Sequence, residues 1–530
     1  MRPNSLRASP CQIALRAFGL VALAALTHAT HAQCTKPLIP TAGLPTTALR
    51  DVQITYSDSY RTLLNLDYPT GTAPTCGWPL AVFVHGYGGR RSNQSALASR
   101  GFAVVSYDVR GQGTARTLNP TTKGLTWYGP VERYDLAEIV AFARNRWPNL
   151  LSATKLAVTG GSQGGIHAWF AAAESGRTIQ VAGRGSIPFP AVAVAIPQNF
   201  IPNAQHHGLR GRTWFSIDAF NRLASNAAAV IDPPLRTLVQ SRFLAQDFAG
   251  LASALWDDPG RRVLNKLATT TVPIQFSMAY FDGIQQPREA MAALRSIPAT
   301  TPVQAILSTI GHGSTNNVHE ARIRSEQRLR WLDRYLWNVP NQAEFDLRSV
   351  RGVTPLQLST LGSRTSLWDH RHDPRFTAAD VTAERLFTTS SGTLQSTPPT
   401  AGAPTAIRHV VSSSFTPQAF SNNSALRSTQ GILQRVPLSE REFRLAPLTS
   451  ARELGGSPRV SLRVTPDAPH FHLFVFLSAR IPGQAQPVML SSWGRGVRNA
   501  TVGVPQRITF ELAPTAAVLP SGTELRLVVR

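Results

Sequence analysis

The chain has 530 residues, too many for one ordinary domain of about 100–200 residues, so two or three units are expected. Hydrophobic residues make up 42% and charged residues 16%, which excludes a disordered chain and allows a sizeable core. The formal charge is +23, yet the arginines are scattered, with no tract beyond Arg90-Arg91 or Arg261-Arg262 and no aromatic interleaving, which excludes a nucleic-acid groove.

At the N-terminus Arg2, Arg7 and Arg16 precede or flank the apolar run 17–26, and the small-residue site Thr30-His31-Ala32 offers cleavage before Gln33. That run is far shorter than the roughly 20 residues a membrane span needs, so residues 1–32 are expected to be a cleaved export signal and not a retained anchor. No later stretch is long and apolar enough to span. Loss of the three leader arginines leaves a mature charge of +20, suited to association with an anionic cell-envelope surface. The expected location is therefore secreted or periplasmic. Cysteine usage agrees: Cys11 leaves with the leader, and an oxidising compartment would join Cys34 to Cys76, tying the mature N-terminus to the loop before the first core strand. Two free thiols are the alternative.

From about 50 to 195 the pattern alternates strand and helix. Segments 52–56 and 61–66 pattern as a hairpin. Segments 80–84 and 102–107 are short continuous apolar runs, as buried parallel strands require. Leu136, Ile139, Val140 and Ala143 recur at helical spacing between Tyr134 and Trp147. Segment 155–159 returns to strand and 166–173 to helix. Such alternation implies a parallel sheet covered by helices. The first part of this core is expected over 33–197. Residues 198–268 break into helical fragments with Asn-, Gly- and Pro-containing turns, the pattern of a helical cap. The core resumes over 269–344, with strands at 272–277 and 303–307 and a closing helix that ends at Trp337. Beyond 345 helices disappear, Ser, Thr and Pro rise, and period-two runs such as 459–464 and 471–476 argue for an all-β sandwich over 345–530.

The strongest chemical signal is Gly160-Gly161-Ser162-Gln163-Gly164-Gly165, placed between a predicted strand and a predicted helix. A serine on a tight strand-to-helix turn stands clear of the sheet, and glycines at 160 and 164 permit the close approach that this requires. A serine hydroxyl is a poor nucleophile until a base takes its proton, so an acid and a histidine should follow, each just after a later strand. Asp282, in Tyr280-Phe281-Asp282-Gly283, and His312, in Ile310-Gly311-His312-Gly313, occupy those places. The acyl transition state also needs hydrogen-bond donors for its oxyanion. One should be the backbone N–H of Gln163, and the other should come from His85-Gly86-Tyr87-Gly88-Gly89 after the strand that ends at Val84. No other chemistry competes. Gly111-Gln112-Gly113 lacks the third glycine of a dinucleotide fingerprint, no spacing of His, Cys and carboxylates suggests a metal site, and His206-His207 fits a cap surface better than a ligand pair. No cofactor is expected.

With these residues in hand, the chain resembles the X-prolyl dipeptidyl peptidase and cocaine esterase family of α/β hydrolases from about residue 50 to the C-terminus. The resemblance is carried by Asp108-Val109-Arg110-Gly111-Gln112-Gly113, by Glu132 and Asp135 on the helix leading to the Ser162 motif, by 280–283, and by the helix 328–337. In the β region, 443–448 is similar to the family's opening strand and 522–527 to its closing strand. It implies a hydrolase core, a helical cap and a jelly-roll domain. It also implies that Tyr87 falls where the esterase branch has a tyrosine hydroxyl as oxyanion donor. Two departures stand out: Gln163 occupies a position where the family commonly has tyrosine, and His85-Gly86 is closer to general lipases.

The expected function is hydrolysis of a small-molecule carboxylic ester or peptide through acyl-Ser162, with an esterase favoured. A dipeptidyl peptidase needs buried carboxylates for the substrate ammonium, and the cap offers only Asp218, Asp232, Asp247, Asp257 and Asp258, in no obvious cluster. The contrasting alternative is a non-catalytic envelope-binding protein with a degenerate core.

Overall fold

The computed structural model describes residues 34–120, 123–126, 129–202, 228–245, 247–255, 263–279, 290, 293–294, 296–308, 312, 318–341, 349–355, 368–373, 383–400, 406–407, 440–484, 487–513 and 515–530. The expected leader of residues 1–32, His206-His207, Asp218, Asp257, Asp258 and Asp282 lie outside the described residues.

The chain begins with an antiparallel pair, β1 (Thr46–Thr55) and β2 (Arg61–Pro69), in which the expected hairpin is longer than its apolar centre. Two apolar runs follow as β3 (Trp78–Val84) and β4 (Ala103–Tyr107), which pair in parallel with every residue of β4 buried. Complete burial explains why these strands show no alternation: a parallel strand is covered on both faces. Helix α1 (Pro130–Arg146) leads to β5 (Leu151–Gly161), which runs straight into α2 (Gln163–Glu174). A small hairpin, β6 (Thr178–Val181) with β7 (Gly185–Pro188), precedes β8 (Val194–Gln198).

Within 198–268, α3 (Pro233–Leu244) and α4 (Phe248–Leu255) are the helices of two turns or more among the described residues. The core resumes with β9 (Ile274–Ala279), β10 (Val303–Ser308) and α5 (Val318–Leu336). Beyond α5 the sheet gains two more strands. Strand β11 (Ser349–Pro355) pairs in parallel with β10, and β12 (Trp368–Asp373) lies antiparallel on its outer side. The completed sheet has the order β1-β2-β4-β3-β5-β8-β9-β10-β11-β12. Neighbours reverse chain order at β4-β3-β5, the crossover where doubly wound sheets open a crevice at their carboxyl ends. The carboxyl ends of β3, β5 and β8 lie at Val84, Gly161 and Gln198, around Ser162.

The C-terminal region is all β. Strands β13 (Phe387–Thr388), β14 (Thr393–Gln395), β15 (Arg441–Leu445), β18 (Phe471–Arg480), β19 (Val488–Val497) and β22 (Glu524–Val529) form one open sheet, in the order β13-β14-β15-β22-β18-β19. Two ribbons accompany it: β16 (Arg452–Gly456) with β21 (Thr515–Leu519), and β17 (Arg459–Val464) with β20 (Gln506–Glu511). The ribbons supply the opposing apolar faces. Val460, Ile508 and Phe510 of the second ribbon pack on Val475 and Val529 of the sheet, whereas Ala517 and Leu519 of the first pack with Ala479 and Leu490. Two layers around such cores make the expected sandwich.

Candidate active site

Ser162 sits between the last residue of β5 and the first of α2 with φ 54° and ψ −120°. An L-residue held there costs on the order of 1–3 kcal/mol and persists only where its surroundings enforce it. The enforcement is visible. Ser162 N–H donates to Gln198 O at the end of β8 (2.9 Å), and Ser162 O accepts from Gly165 N–H (2.8 Å). The flanking glycines have no room for a side chain: a Cβ on Gly160 would lie 2.7 Å from Gly164 Cα, and one on Gly164 would overlap Val84 O. Sequence spacing thus becomes a packing requirement, because β3, β5 and α2 touch backbone to backbone.

His312, which follows β10 in the sequence, reaches the same serine. Its Nε2 is 2.8 Å from Ser162 Oγ across 150 residues of sequence. Helix α2 starts at Gln163, whose N–H has no intrahelical carbonyl and points with the helix dipole toward the serine end. Of the residues singled out from sequence, Ser162, His312 and Gln163 therefore converge, while Asp282 lies outside the described residues.

The loop after β3 completes the crevice. Gly86 faces the elbow, since a Cβ there would sit 3.6 Å from Ser162 Cβ. Gly89 N–H donates to Gly86 O (3.0 Å) and Gly88 has φ 75°, so Tyr87 and Gly88 are the corner of a tight turn of type II pattern. His85 anchors the turn. Its Nδ1 donates to Gly86 O (2.7 Å) while its Nε2 accepts from Val109 N–H (3.0 Å), a pairing that only the neutral ring can make. Burial pushes its pKa down and favours that neutral state. Burial also pushes the Tyr87 phenol up, so its hydroxyl keeps the proton it would donate.

Segment 108–113 braces this loop from beneath. The Asp108 carboxylate accepts from Arg91 N–H (2.7 Å) and Thr114 N–H (2.9 Å) and pairs with the Arg91 guanidinium. Arg110 grips Asp135 of α1 through two hydrogen bonds of 2.9 and 2.8 Å and stacks over Tyr60 at 4.1 Å. Gly111 is pressed against Val230, and a Cβ on Gly113 would lie 2.5 Å from the Asp108 carboxylate. The Gly-x-Gly spacing is thereby explained without any dinucleotide. Sequence reasoning missed Gln112 itself, whose side chain is fully buried between the loop and the elbow. The paired glycines on either side were the available signal that this residue is closely packed.

Residues 356–530 match the X-Pro dipeptidyl-peptidase C-terminal non-catalytic domain, and residues 79–181 match the alpha/beta hydrolase fold. The chain joins an α/β-hydrolase region to a C-terminal domain of the X-Pro dipeptidyl-peptidase type. Solved structures repeat the architecture across nearly the whole chain. A CocE/NonD family hydrolase from Staphylococcus aureus is 13% identical, with a TM-score of 0.61 over 92% of this chain and 86% of that one. An α-amino acid ester hydrolase is 14% identical, with a TM-score of 0.63 over 95% and 92%. An aminopeptidase from a marine sediment Thaumarchaeota archaeon is 14% identical, with a TM-score of 0.61 over 95% and 92%. At such identities the likeness is one of fold. Among curated proteins, none matches the sequence.

The structure brings Cys34 and Cys76 to a Cα–Cα distance of 6.1 Å, within the range of a disulfide. Among the described residues no helix is long and apolar enough to cross a membrane, and no group of His, Cys, Asp and Glu could hold a metal ion.

Proposed function

We propose that the chain is an exported serine hydrolase that cleaves a carboxylic ester or amide through an acyl-Ser162 intermediate, with esters preferred. The observation that carries this reading is the 2.8 Å approach of His312 Nε2 to an Ser162 Oγ raised on a strained elbow. In the mechanism His312 takes the Ser162 proton as Oγ attacks the carbonyl carbon. The resulting oxyanion is stabilised by Gln163 N–H and the Tyr87 hydroxyl. His312 then returns the proton to the departing alcohol or amine. Water repeats the sequence on the acyl-enzyme, and Asp282 holds the imidazole in the tautomer this exchange needs.

The ester preference draws on the two cap acids among the described residues. Asp247 is engaged by Gly250 N–H and by Arg242, and Asp232 accepts from the backbone of Leu235 at the start of α3. Neither is a carboxylate waiting for a substrate ammonium. Export is supported by the leader pattern of residues 1–32 and by the proximity of Cys34 and Cys76. The mature charge suits an anionic envelope surface.

The test is labelling with a fluorophosphonate, followed by a screen of p-nitrophenyl esters against Ala-Pro amides. Wild type should label and turn over esters faster than amides, and Ser162→Ala should do neither while keeping its melting temperature. Labelling that survives in Ser162→Ala would remove the serine from its role. Faster amide turnover would replace the esterase by a peptidase.

A further inference from the structure

The side chain of Gln112 touches both walls of the crevice. Its Oε1 accepts from Gly88 N–H at 2.7 Å, and its Nε2 donates to Gln163 Oε1 at 3.0 Å. Gln112 and Gln163 are both fully buried. The orientation of the amide is not a free choice, because a backbone N–H can meet only the carbonyl oxygen. Nε2 must then face Gln163, and Gln163 must turn its own oxygen to receive it. The backbone of Gln112 is fixed as well. Its N–H donates to Val109 O (3.0 Å), its carbonyl accepts from Arg116 N–H (3.2 Å), and the residue forms a bridge to Ala229 of the cap.

We propose that Gln112 is a positioning residue that sets the gap between the two donors of the oxyanion site. The inference rests on the serine-hydrolase reading above and deepens it. Gly88 is the neighbour of Tyr87, and Gln163 carries the other donor on its own backbone. One rigid amide, hydrogen-bonded to both, fixes how far apart the two donors stand. The Gly88 bond has a second consequence. It commits Gly88 N–H to Gln112 and removes it as a candidate for the oxyanion, so the loop's contribution falls to Tyr87. An oxyanion site works only when its donors already stand where charge will develop, and misplacement by about 1 Å can cost on the order of 10²-fold in rate.

Three variants test this: Gln112→Met, which keeps the length and loses both bonds; Gln112→Asn, which keeps the amide but is too short to reach both partners; and Gln163→Met, which leaves the backbone donor in place. Rates on a p-nitrophenyl ester are taken per active site, titrated with fluorophosphonate, so that loss of folded protein does not enter. Affinity for phenylboronic acid, which forms a tetrahedral adduct on the serine, is measured alongside. Gln112→Met and Gln112→Asn should each lower kcat by about 10-fold or more with KM within about twofold, and weaken the boronate by a similar factor. Gln163→Met combined with Gln112→Met should add less than about threefold, because both break the same link. Unchanged kcat and boronate affinity per titrated site in either Gln112 variant would overturn the proposal, as would effects of Gln112→Met and Gln163→Met that multiply independently. A wild-type protein that does not label at all would overturn the underlying serine-hydrolase reading instead, and this proposal with it.

Discussion

Val84 and Gly164, 80 residues apart, meet so closely that any side chain on Gly164 would collide with the Val84 carbonyl oxygen. Gly160 lies in the same contact, since its own Cβ would also overlap Val84 O. The strained turn at Ser162 is therefore clamped between the end of β3 and the start of α2. Gly164→Ala must push β3 and α2 apart, in a place where neither neighbour is a flexible side chain. Overpacking of this kind typically costs about 1–3 kcal/mol, and here it also displaces the nucleophile. We expect a lower melting temperature together with a loss of ester turnover of about 10²-fold or more. Full activity in Gly164→Ala would mean that the clamp does not set the geometry of Ser162.

Tyr87 sits at the corner of the turn facing the elbow, with its hydroxyl kept protonated by burial. Tyr87→Phe removes one donor and almost no volume. Turnover number should fall by about 10²-fold with KM nearly unchanged, the signature of a donor that works only in the transition state. A change confined to KM would reduce Tyr87 to lining the pocket.

What could be read from sequence follows from how each residue is used. Strands β3 and β4 were legible because full burial leaves an unbroken apolar run, and the elbow because backbone contact leaves only glycine. The hairpin β6–β7 was not, since it is a short surface ribbon built around Gly183 and Gly185. Strands β11 and β12 carry Arg351, Asp369, Arg371 and Asp373, which give no apolar signature for joining the central sheet. Gln112 was invisible for another reason. A glutamine is ordinarily a surface residue, and its burial is set by partners at 88 and 163 that no local pattern reveals.

His167, one turn into α2, donates from Nδ1 to Gln163 O (2.9 Å), while its Nε2 has no hydrogen-bond partner. Burial lowers its pKa from the ordinary 6.5 to about 4. The unfolded chain therefore takes up a proton near pH 6.5 that the folded chain refuses until about pH 4. Stability is at its full value above pH 6.5 and is lost as pH falls through this window, by on the order of 3 kcal/mol from this residue. His85, also held neutral by burial, adds to the same slope. His167→Gln cannot take up the proton, so its melting temperature should fall less between pH 7 and pH 4.5 than that of wild type. Equal falls in the two proteins would exclude His167 as a source of acid sensitivity.

Cys34 and Cys76 lie 42 residues apart in sequence, and both pack against the main core. A bond between them would fasten residue 34 to the loop before β3, beside a second tie from Lys36 to Asp333 of α5 (2.5 Å). A disulfide closing such a loop typically contributes about 2–4 kcal/mol. Non-reducing mass spectrometry of protein recovered from the export compartment should find both thiols oxidised, and reduction should lower the melting temperature. Two free thiols in that material would refute the bond.

Strand β10 is buried from Val303 to Leu307 and has β9 on one side and β11 on the other, with Gln304 to Leu307 registered against Ser349 to Gly352. A chain ending at Asn341 loses β11, β12 and the whole β region. It would leave β10 as a naked edge of buried Val303, Ala305 and Leu307, an open template for aggregation. Strand β11 also lies close to β21 of the C-terminal region, so the two regions touch. We expect the chain ending at Asn341 to be poorly soluble and to melt lower than the full chain. A longer one ending at Asp373, which retains β11 and β12, should recover part of the difference. A flexibly attached binding module makes the opposite demand: the Asn341 truncation should keep its melting temperature and hydrolyse small esters at the full rate. Both values unchanged would favour the tethered module over a core that needs its C-terminal neighbour.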